Sequence, residues 1–248
     1  MNLPTADAFG GTVTRRQALQ WIGGAGLTAT VGACTDSPTE ITAATTPSAG
    51  STQQLVPTST SSASPIAKPT PTVLLCRDSW GARPARPGGR AHTVSRLTLH
   101  HSGIVLGDNT RAVSRLRQHQ RYHQDSHGWI DIAYHLSVDR NGHIYELRTP
   151  KVAGDTATDY DTTGHFLVVC EGDFDQEAIT PDQISSTAMA FAWASQTFGV
   201  SPQTLAGHRD FASTACPGKN LYEHLSSGDL ERRIDLVLAG GGVDLQRR

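Results

Sequence analysis

His208-Arg209-Asp210 and Cys216-Pro217-Gly218 place an imidazole and a thiol eight positions apart, flanking a loop able to fold back on one ion. A further histidine from the pair His100-His101, at the end of an alternating segment, would make three ligands. Three protein ligands plus one water is the composition of a catalytic zinc site, whereas a structural zinc is closed by a fourth side chain, and no fourth ligand is evident. Zinc held by two neutral imidazoles and a thiolate lowers the pKa of water toward neutrality and can polarise a carbonyl. Spacing alone does not choose between His100 and His101. His92, His119, His127, His143 and His224 lie in polar surroundings without a partner at ligand spacing, and read as surface or packing residues. The helical His-Glu-x-x-His motif of zinc peptidases is absent.

The elements that must position these groups are legible from periodicity. Residues 96–100 alternate, with Leu97 and Leu99 on one face and Thr98 and His100 on the other, as a strand requires. Residues 108–123 carry Val113, Leu116 and Tyr122 or His123 at near-helical spacing behind the capping residues Asn109 and Thr110. Residues 132–138 and 143–147 read as strands joined by Asp139-Arg140-Asn141-Gly142, whose Asn-Gly pair suits a tight hairpin turn. The apolar run 166–170 predicts a strand buried on both faces and ended by Gly172. Thr180-Pro181-Asp182-Gln183 combines an N-cap, a proline at the first helical position and a glutamine three residues on, before a face marked by Ile184, Ala188, Phe191 and Phe198 and a stop at Gly199. A last helix is expected over 221–238. Helices interspersed among strands, with one hairpin, predict an α/β fold: a mixed sheet covered by helices.

Four segments in a fixed order carry a family resemblance: Arg77-Asp78-Ser79-Trp80-Gly81-Ala82, Leu99-His100-His101-Ser102, Gly128-Trp129-Ile130-Asp131-Ile132-Ala133-Tyr134-His135, and Gly207-His208-Arg209-Asp210 with Thr214-Ala215-Cys216-Pro217-Gly218. Between about Arg77 and Tyr222 the chain resembles the zinc-dependent N-acetylmuramoyl-L-alanine amidases related to peptidoglycan recognition proteins and phage amidase lysozymes (amidase type 2). The resemblance implies a central mixed β-sheet flanked by helices on both faces, and Zn2+ held by His100, His208 and Cys216. Strand alternation then sends His101 to the opposite face. It further implies that Tyr134 lies beside the zinc and shares the charge of the oxyanion, with Thr214 as a second polar catalytic residue. The implied reaction is hydrolysis of the amide between N-acetylmuramic acid and L-alanine in peptidoglycan. For the leaving nitrogen the candidate proton donors are Tyr134, Glu171 and Asp173, the two carboxylates reading more readily as solvated loop charges, while Asp131 and Asp210 could orient a histidine. Cysteine rather than aspartate as third ligand sides with the recognition-protein branch, not the cytoplasmic recycling amidases. Phage relatives carry a histidine in the segment aligned with Gly154-Asp155-Thr156-Ala157, and this chain has none there; His165 reads as preceding a strand. The alternative is a non-hydrolytic peptidoglycan-binding or sensing module of the same fold, but such relatives typically lack the cysteine or the tyrosine.

The remaining sequence concerns location. Thr14-Arg15-Arg16-Gln17-Ala18-Leu19 precedes an uncharged apolar run, residues 21–33, too short for a stable membrane span, which is the layout of a signal peptide. The paired arginines are similar to the twin-arginine (Tat) export signal, although Ala18 stands where an aromatic residue is usual, which leaves the general secretory route open. Val31-Gly32-Ala33-Cys34 resembles a lipoprotein processing box, so residues 1–34 are read as a signal peptide ending at a lipid-modified Cys34. Residues 35–72, dominated by Ser, Thr, Pro and Ala, read as a disordered linker, and residues 73–240 as the zinc amidase domain. The expected protein is exported and lipid-anchored, faces the cell wall, is monomeric, and touches the membrane only through Cys34. A net charge of -2 without a block of lysine or arginine argues against nucleic acid or an anionic membrane surface as partner. Cys76 and Cys170 are left in a compartment where disulfides persist, and their separation does not say whether they pair.

Overall fold

In the computed structural model, residues 68–248 are described; the expected signal peptide, the expected lipidation site Cys34 and residues 35–67 of the expected linker lie outside them. Strand β2 (Arg96–His101) alternates as its sequence demands, with Leu97 and Leu99 in one core and His100 on the opposite face. Strand β5 (His165–Cys170) is buried at every position and runs parallel to β2 on one side and to β3 (Leu136–Val138) on the other. The sheet has seven strands in the order β6-β2-β5-β3-β4-β1-β7. The outer members are β1 (Thr70–Leu75), β4 (Ile144–Glu146), β6 (Ala206–Gly207) and β7 (Val243–Arg247). Among the described strands only the β3–β4 pairing is antiparallel, so β2, β3, β5 and β6 run one way and β1, β4 and β7 the other.

Helices cover both faces. Helix α1 (Ala112–Arg121) packs Leu116 against Trp80, Ile132, Tyr145, Leu147 and Val169. On the other face, α2 (Pro181–Phe198) and α4 (Asp229–Ala239) bury Ile184, Ala188, Phe191, Leu230 and Ile234 against Leu97, Leu99, Phe166 and Val168. Each large side chain so buried stabilises by roughly 1.5–3 kcal/mol. Thr180 caps α2 by accepting from Gln183 N at 3.1 Å, and Gly199 ends it in a left-handed conformation. Gln183 does not complete a capping box; its amide is buried and donates to Val138 O and Glu171 O, tying the helix to the ends of β3 and β5.

Several elements differ from the sequence expectation, each for a local reason. Asp108, not Asn109 or Thr110, caps the turn that leads into α1, and the helix continues into a π turn over Tyr122–Ser126. The strand expected from residue 132 starts only at Leu136, because the buried Arg148 guanidinium occupies the Asp131 and Ile132 carbonyls. Gly228 (φ 70°) breaks the expected last helix into α3 (Lys219–Ser226) and α4. The folded chain passes both expected limits, since β1 begins at Thr70 and β7, after the glycine-rich stretch, pairs with it in parallel. Among the described residues no helix is long and apolar enough to cross a membrane.

The hairpin turn is built on Asp139. Its buried carboxylate accepts from Asn141 N, His143 N, His143 Nδ1, Tyr145 Oη and Asn109 Nδ2 at 2.8–3.0 Å. Gly142 follows at φ 77°, where a Cβ would lie 2.9 Å from Asp182 O. Asp139→Ala strands several of these donors and is expected to destabilise the fold by about 3 kcal/mol in urea unfolding. A loss below about 1 kcal/mol would show that the turn does not depend on this carboxylate.

Candidate metal centre

Three segments deliver the donor atoms to the carboxyl ends of the parallel strands. His100 is the penultimate residue of β2 and is buried. β6 pairs with Thr98 and Leu99, and so places His208, the residue that follows it, beside His100, with ring centroids 4.7 Å apart. Gly207 permits that approach, since a Cβ there would meet Leu225, Pro217 and Tyr222 at 3.1–3.2 Å. The loop then returns: Arg209 N donates to Cys216 O at 3.0 Å, and the Cys216 sulfur accepts from His101 N at 3.4 Å. One donor atom each from His100, His208 and Cys216 lies within 4.8 Å of the others. Cys216 Sγ stands 3.6 Å from His100 Nδ1, close to the roughly 3.5 Å edge expected of a tetrahedral zinc with one sulfur and two nitrogens. The group is consistent with a zinc site, and no fourth His, Cys, Asp or Glu joins it among the described residues.

The electrostatics suit a cation. Burial, with the neighbouring histidines, holds the His100 pKa well below its usual value, and burial lowers that of His208 to about 4. Both imidazoles are therefore neutral and keep a lone pair at neutral pH. Burial pushes the Cys216 thiol up to about 12, so an isolated thiolate is unfavourable there until a bound cation compensates it.

Around the group is a recess of about 270 Å³ whose walls include Tyr134, Thr214, His123, His127 and Trp129. The Tyr134 ring lies 5.1 Å from that of His100, and its hydroxyl has no hydrogen-bond partner among the described residues. Burial, then Cys216 and Glu171, hold its pKa well above the usual value, so it remains a donor. Thr214 Oγ1 accepts from Cys216 N at 3.2 Å and keeps its own proton to donate. His101 is not one of the three grouped donors; its ring packs near Phe174, at 6.3 Å between centroids, and it still borders the recess, so it is not carried clear of the site in the way strand alternation predicts. A larger cleft of about 660 Å³ shares Trp129, Asp155, Thr156 and Thr158 with the recess.

Other sequence expectations are corrected. Asp131 orients no histidine: it pairs with Arg77 at 2.7 Å and accepts from Gln120, which joins the first and third motif segments. Asp210 instead closes its own turn, accepting from Gly207 N and the Tyr222 hydroxyl. Asp173 is engaged by Asp175 N and the Gln176 side chain, and neither it nor Glu171 lines the metal recess. Among the described residues Cys76 and Cys170 form no disulfide, with each other or with Cys216; Cys170 is buried against Thr187 at 3.2 Å. His165 is the first residue of β5 itself, buried and bonded to Thr98. His119 is no isolated surface group: its ring lies 4.3 Å from that of His123 and 5.6 Å from that of Tyr134. Sequence reading missed Thr158 and Tyr160, which reach the ligand histidines from a segment without a periodic signal.

A mixed sheet of this topology, carrying two histidines and a cysteine at its parallel edge, defines a peptidoglycan recognition protein-like α/β protein with a potential zinc centre. Residues 90–219 match the family described as N-acetylmuramoyl-L-alanine amidase (Amidase_2), and the chain belongs to that family. It is 30% identical over 155 residues to peptidoglycan-recognition protein SC2 of Drosophila melanogaster, covering 61% of this chain and 84% of that one. To the N-acetylmuramoyl-L-alanine amidase of Homo sapiens it is 31% identical over 157 residues, 60% of this chain but 27% of the human protein. A variant of Drosophila PGRP-LB in complex with tracheal cytotoxin superposes with a TM-score of 0.56 at 28% identity, covering 62% of this chain and 93% of that one.

Beside the metal recess, the Glu171 carboxyl is buried, accepts from Ser137 Oγ at 2.8 Å, and is raised by burial to about 7. Asp139 opposes its ionisation and Arg115 favours it. Because the folded state holds this proton more tightly than the unfolded one, its contribution to stability falls as pH rises from the ordinary carboxylate range through about 7. Glu171→Gln is expected to match wild type near pH 4 and to exceed it at pH 8 by on the order of 3 kcal/mol. Denaturant unfolding at both pH values checks this, and a variant no more stable at pH 8 contradicts it.

Proposed function

We propose that the chain is a zinc amidase that hydrolyses the bond between the lactyl group of N-acetylmuramic acid and L-alanine in peptidoglycan. The observation that carries this reading is the His100–His208–Cys216 group set in one recess with the Tyr134 hydroxyl. When bound there, zinc supplies Lewis-acid polarisation of the amide carbonyl and a water of lowered pKa. Tyr134 donates a hydrogen bond to the carbonyl oxygen as it gains negative charge, a role suited to a hydroxyl that stays protonated. Thr214 holds water or that oxygen with its free proton. The wider cleft, continuous with the recess, takes the substrate beyond the scissile bond. Relatives named as amidases, and a similar recognition protein that holds tracheal cytotoxin, a monomeric diaminopimelic acid-type peptidoglycan, support the substrate class. Paired arginines, an apolar run and a cysteine at its end support export with a lipid anchor at Cys34, which would hold the enzyme at the membrane facing the wall.

The test is incubation of the purified, zinc-loaded, full-length protein with peptidoglycan, with products identified by mass spectrometry. Stem peptides beginning with L-alanine are expected from the wild type and not from Cys216→Ser. Tyr134→Phe is expected to lower turnover by about 100-fold to 1000-fold while zinc binding is kept. Retained turnover in Tyr134→Phe would remove that residue from the mechanism but leave the amidase reading intact. No release from a folded, zinc-bound wild type would instead mark a wall-binding module.

A further inference from the structure

We propose that Thr158 is a positioning residue that fixes the ring state of His208 and so sets the affinity of the site for its metal, with Tyr160 supporting His100 in the same way. The inference rests on the metal-binding reading of the three-residue group but not on the reaction.

A neutral imidazole carries one N–H and one lone pair, and the partner of the first decides where the second points. Nε2 of His208 lies 2.6 Å from Thr158 Oγ1, which leaves Nδ1 as the metal-facing nitrogen. Thr158 Oγ1 has a second partner, Thr156 Oγ1 at 2.7 Å, and Thr156 Oγ1 also accepts from Thr158 N at 3.1 Å. With a metal on Nδ1 the chain runs one way: His208 Nε2–H donates to Thr158, and the Thr158 hydroxyl donates to Thr156. That direction keeps the proton on Nε2 and the lone pair on Nδ1. For His100 the corresponding partner is the Tyr160 hydroxyl, 3.5 Å from Nε2, while Nδ1 faces the Cys216 sulfur. The Tyr160 contact is long, so its share is smaller.

The segment that carries both residues lacks regular secondary structure, yet it is fixed at its ends. Asp155 pairs with the buried Arg148, and Asp161 pairs with Arg90 at 2.9 Å. Thr162 Oγ1 donates to Gly154 O at 2.7 Å, drawing the two ends together. The Tyr160 ring packs on Phe211 at 5.6 Å and on His208 at 5.2 Å, which holds the middle of the segment over the ligands. Partners that orient metal-bound histidines in this way typically change metal affinity about 10-fold to 100-fold when removed.

Zinc affinity of the full-length protein, measured by competition with a chromophoric chelator, tests the assignment without reference to hydrolysis. Thr158→Val keeps the shape and removes the hydroxyl, and is expected to weaken zinc binding about 10-fold to 100-fold. Thr158→Ser restores the hydroxyl and is expected to restore affinity. Tyr160→Phe is expected to give a smaller loss. Unfolding of each metal-free variant at the wild-type temperature would tie the change to the site; if Thr158→Val is less stable, the serine variant decides. Wild-type affinity in Thr158→Val, or a serine variant as weak as the valine one, overturns the role of Thr158. Unchanged affinity in Tyr160→Phe removes Tyr160 from it. A protein that cleaves no peptidoglycan but shows this affinity pattern would refute the proposed activity and leave this inference standing.

Discussion

Parallel pairing of β2 with β5 and β6 is the constraint on which the site depends. It sets three chain segments in register, so that their carboxyl ends reach one edge of the sheet together. Along β2 the two-residue period then separates the functions: Leu97 and Leu99 join the core beneath α2, while Thr98 and His100 point to the other face. Slipping β2 by one residue would bury His100 among the leucines and expose them at the recess. The buried apolar face therefore fixes the register, and the register fixes the first metal ligand. β6 needs only two residues, because its task is to release the chain at His208.

A site assembled this way gathers polar groups that burial keeps uncharged. His100, His123, His135, His165 and His208 are all buried, and each is displaced below the ordinary histidine value, with burial as the main cause. The unfolded chain binds protons at these rings more readily than the folded one, so their contribution to stability is lost as pH falls below about 6.5. Glu171 acts in the opposite sense, since its buried carboxyl is disfavoured as an anion. Several histidines set against one carboxyl make acid the more damaging direction. Two of these histidines have second roles as hydrogen-bond partners of the backbone: His135 accepts from Leu167 N, and His123 accepts from Ala133 N. Neutral imidazole is thus a structural requirement here as well as a condition for binding metal.

What could be read from the sequence follows from how each residue is held. Periodicity exposes strand and helix residues, so β2, β5, the β3–β4 hairpin and α2 were visible, and with them the orientation of His100. Residue type and spacing mark His208 and Cys216, whereas Tyr134 and Thr214 enter only through the motif segments, because a resemblance specifies positions that spacing alone leaves open. Side chains doing unexpected work were hidden. Arg148 follows the strand expected over 143–147 and carries no periodic signal, yet it is buried and satisfies the carbonyls of Asp131, Ile132 and Ala153. β7 lies beyond the domain end expected at residue 240, where Gly241 and Gly242, both at positive φ, turn the chain back onto β1. Thr158 and Tyr160 were invisible for a different reason, since no period marks a segment that follows neither a helix nor a strand.

That contrast bears on how precision at the site is divided. The sheet fixes where the His100 ring begins, but a histidine has two torsions and two nitrogens, and backbone register controls neither nitrogen. Final orientation must come from contacts at the far side of each ring. Here those contacts come from residues 155–162, tied to the scaffold by Arg148 and Arg90 rather than by strand pairing. Arg90–Asp161 is exposed and contributes little energy, whereas Arg148–Asp155 is anchored by a guanidinium buried among three carbonyls. The segment is therefore held more firmly at its Asp155 end, and Thr158 is tied toward that end through its two bonds to the Thr156 hydroxyl. The firmer anchorage lies on the side of His208, which the sheet controls least because it stands outside any strand and leaves β6 by a single turn.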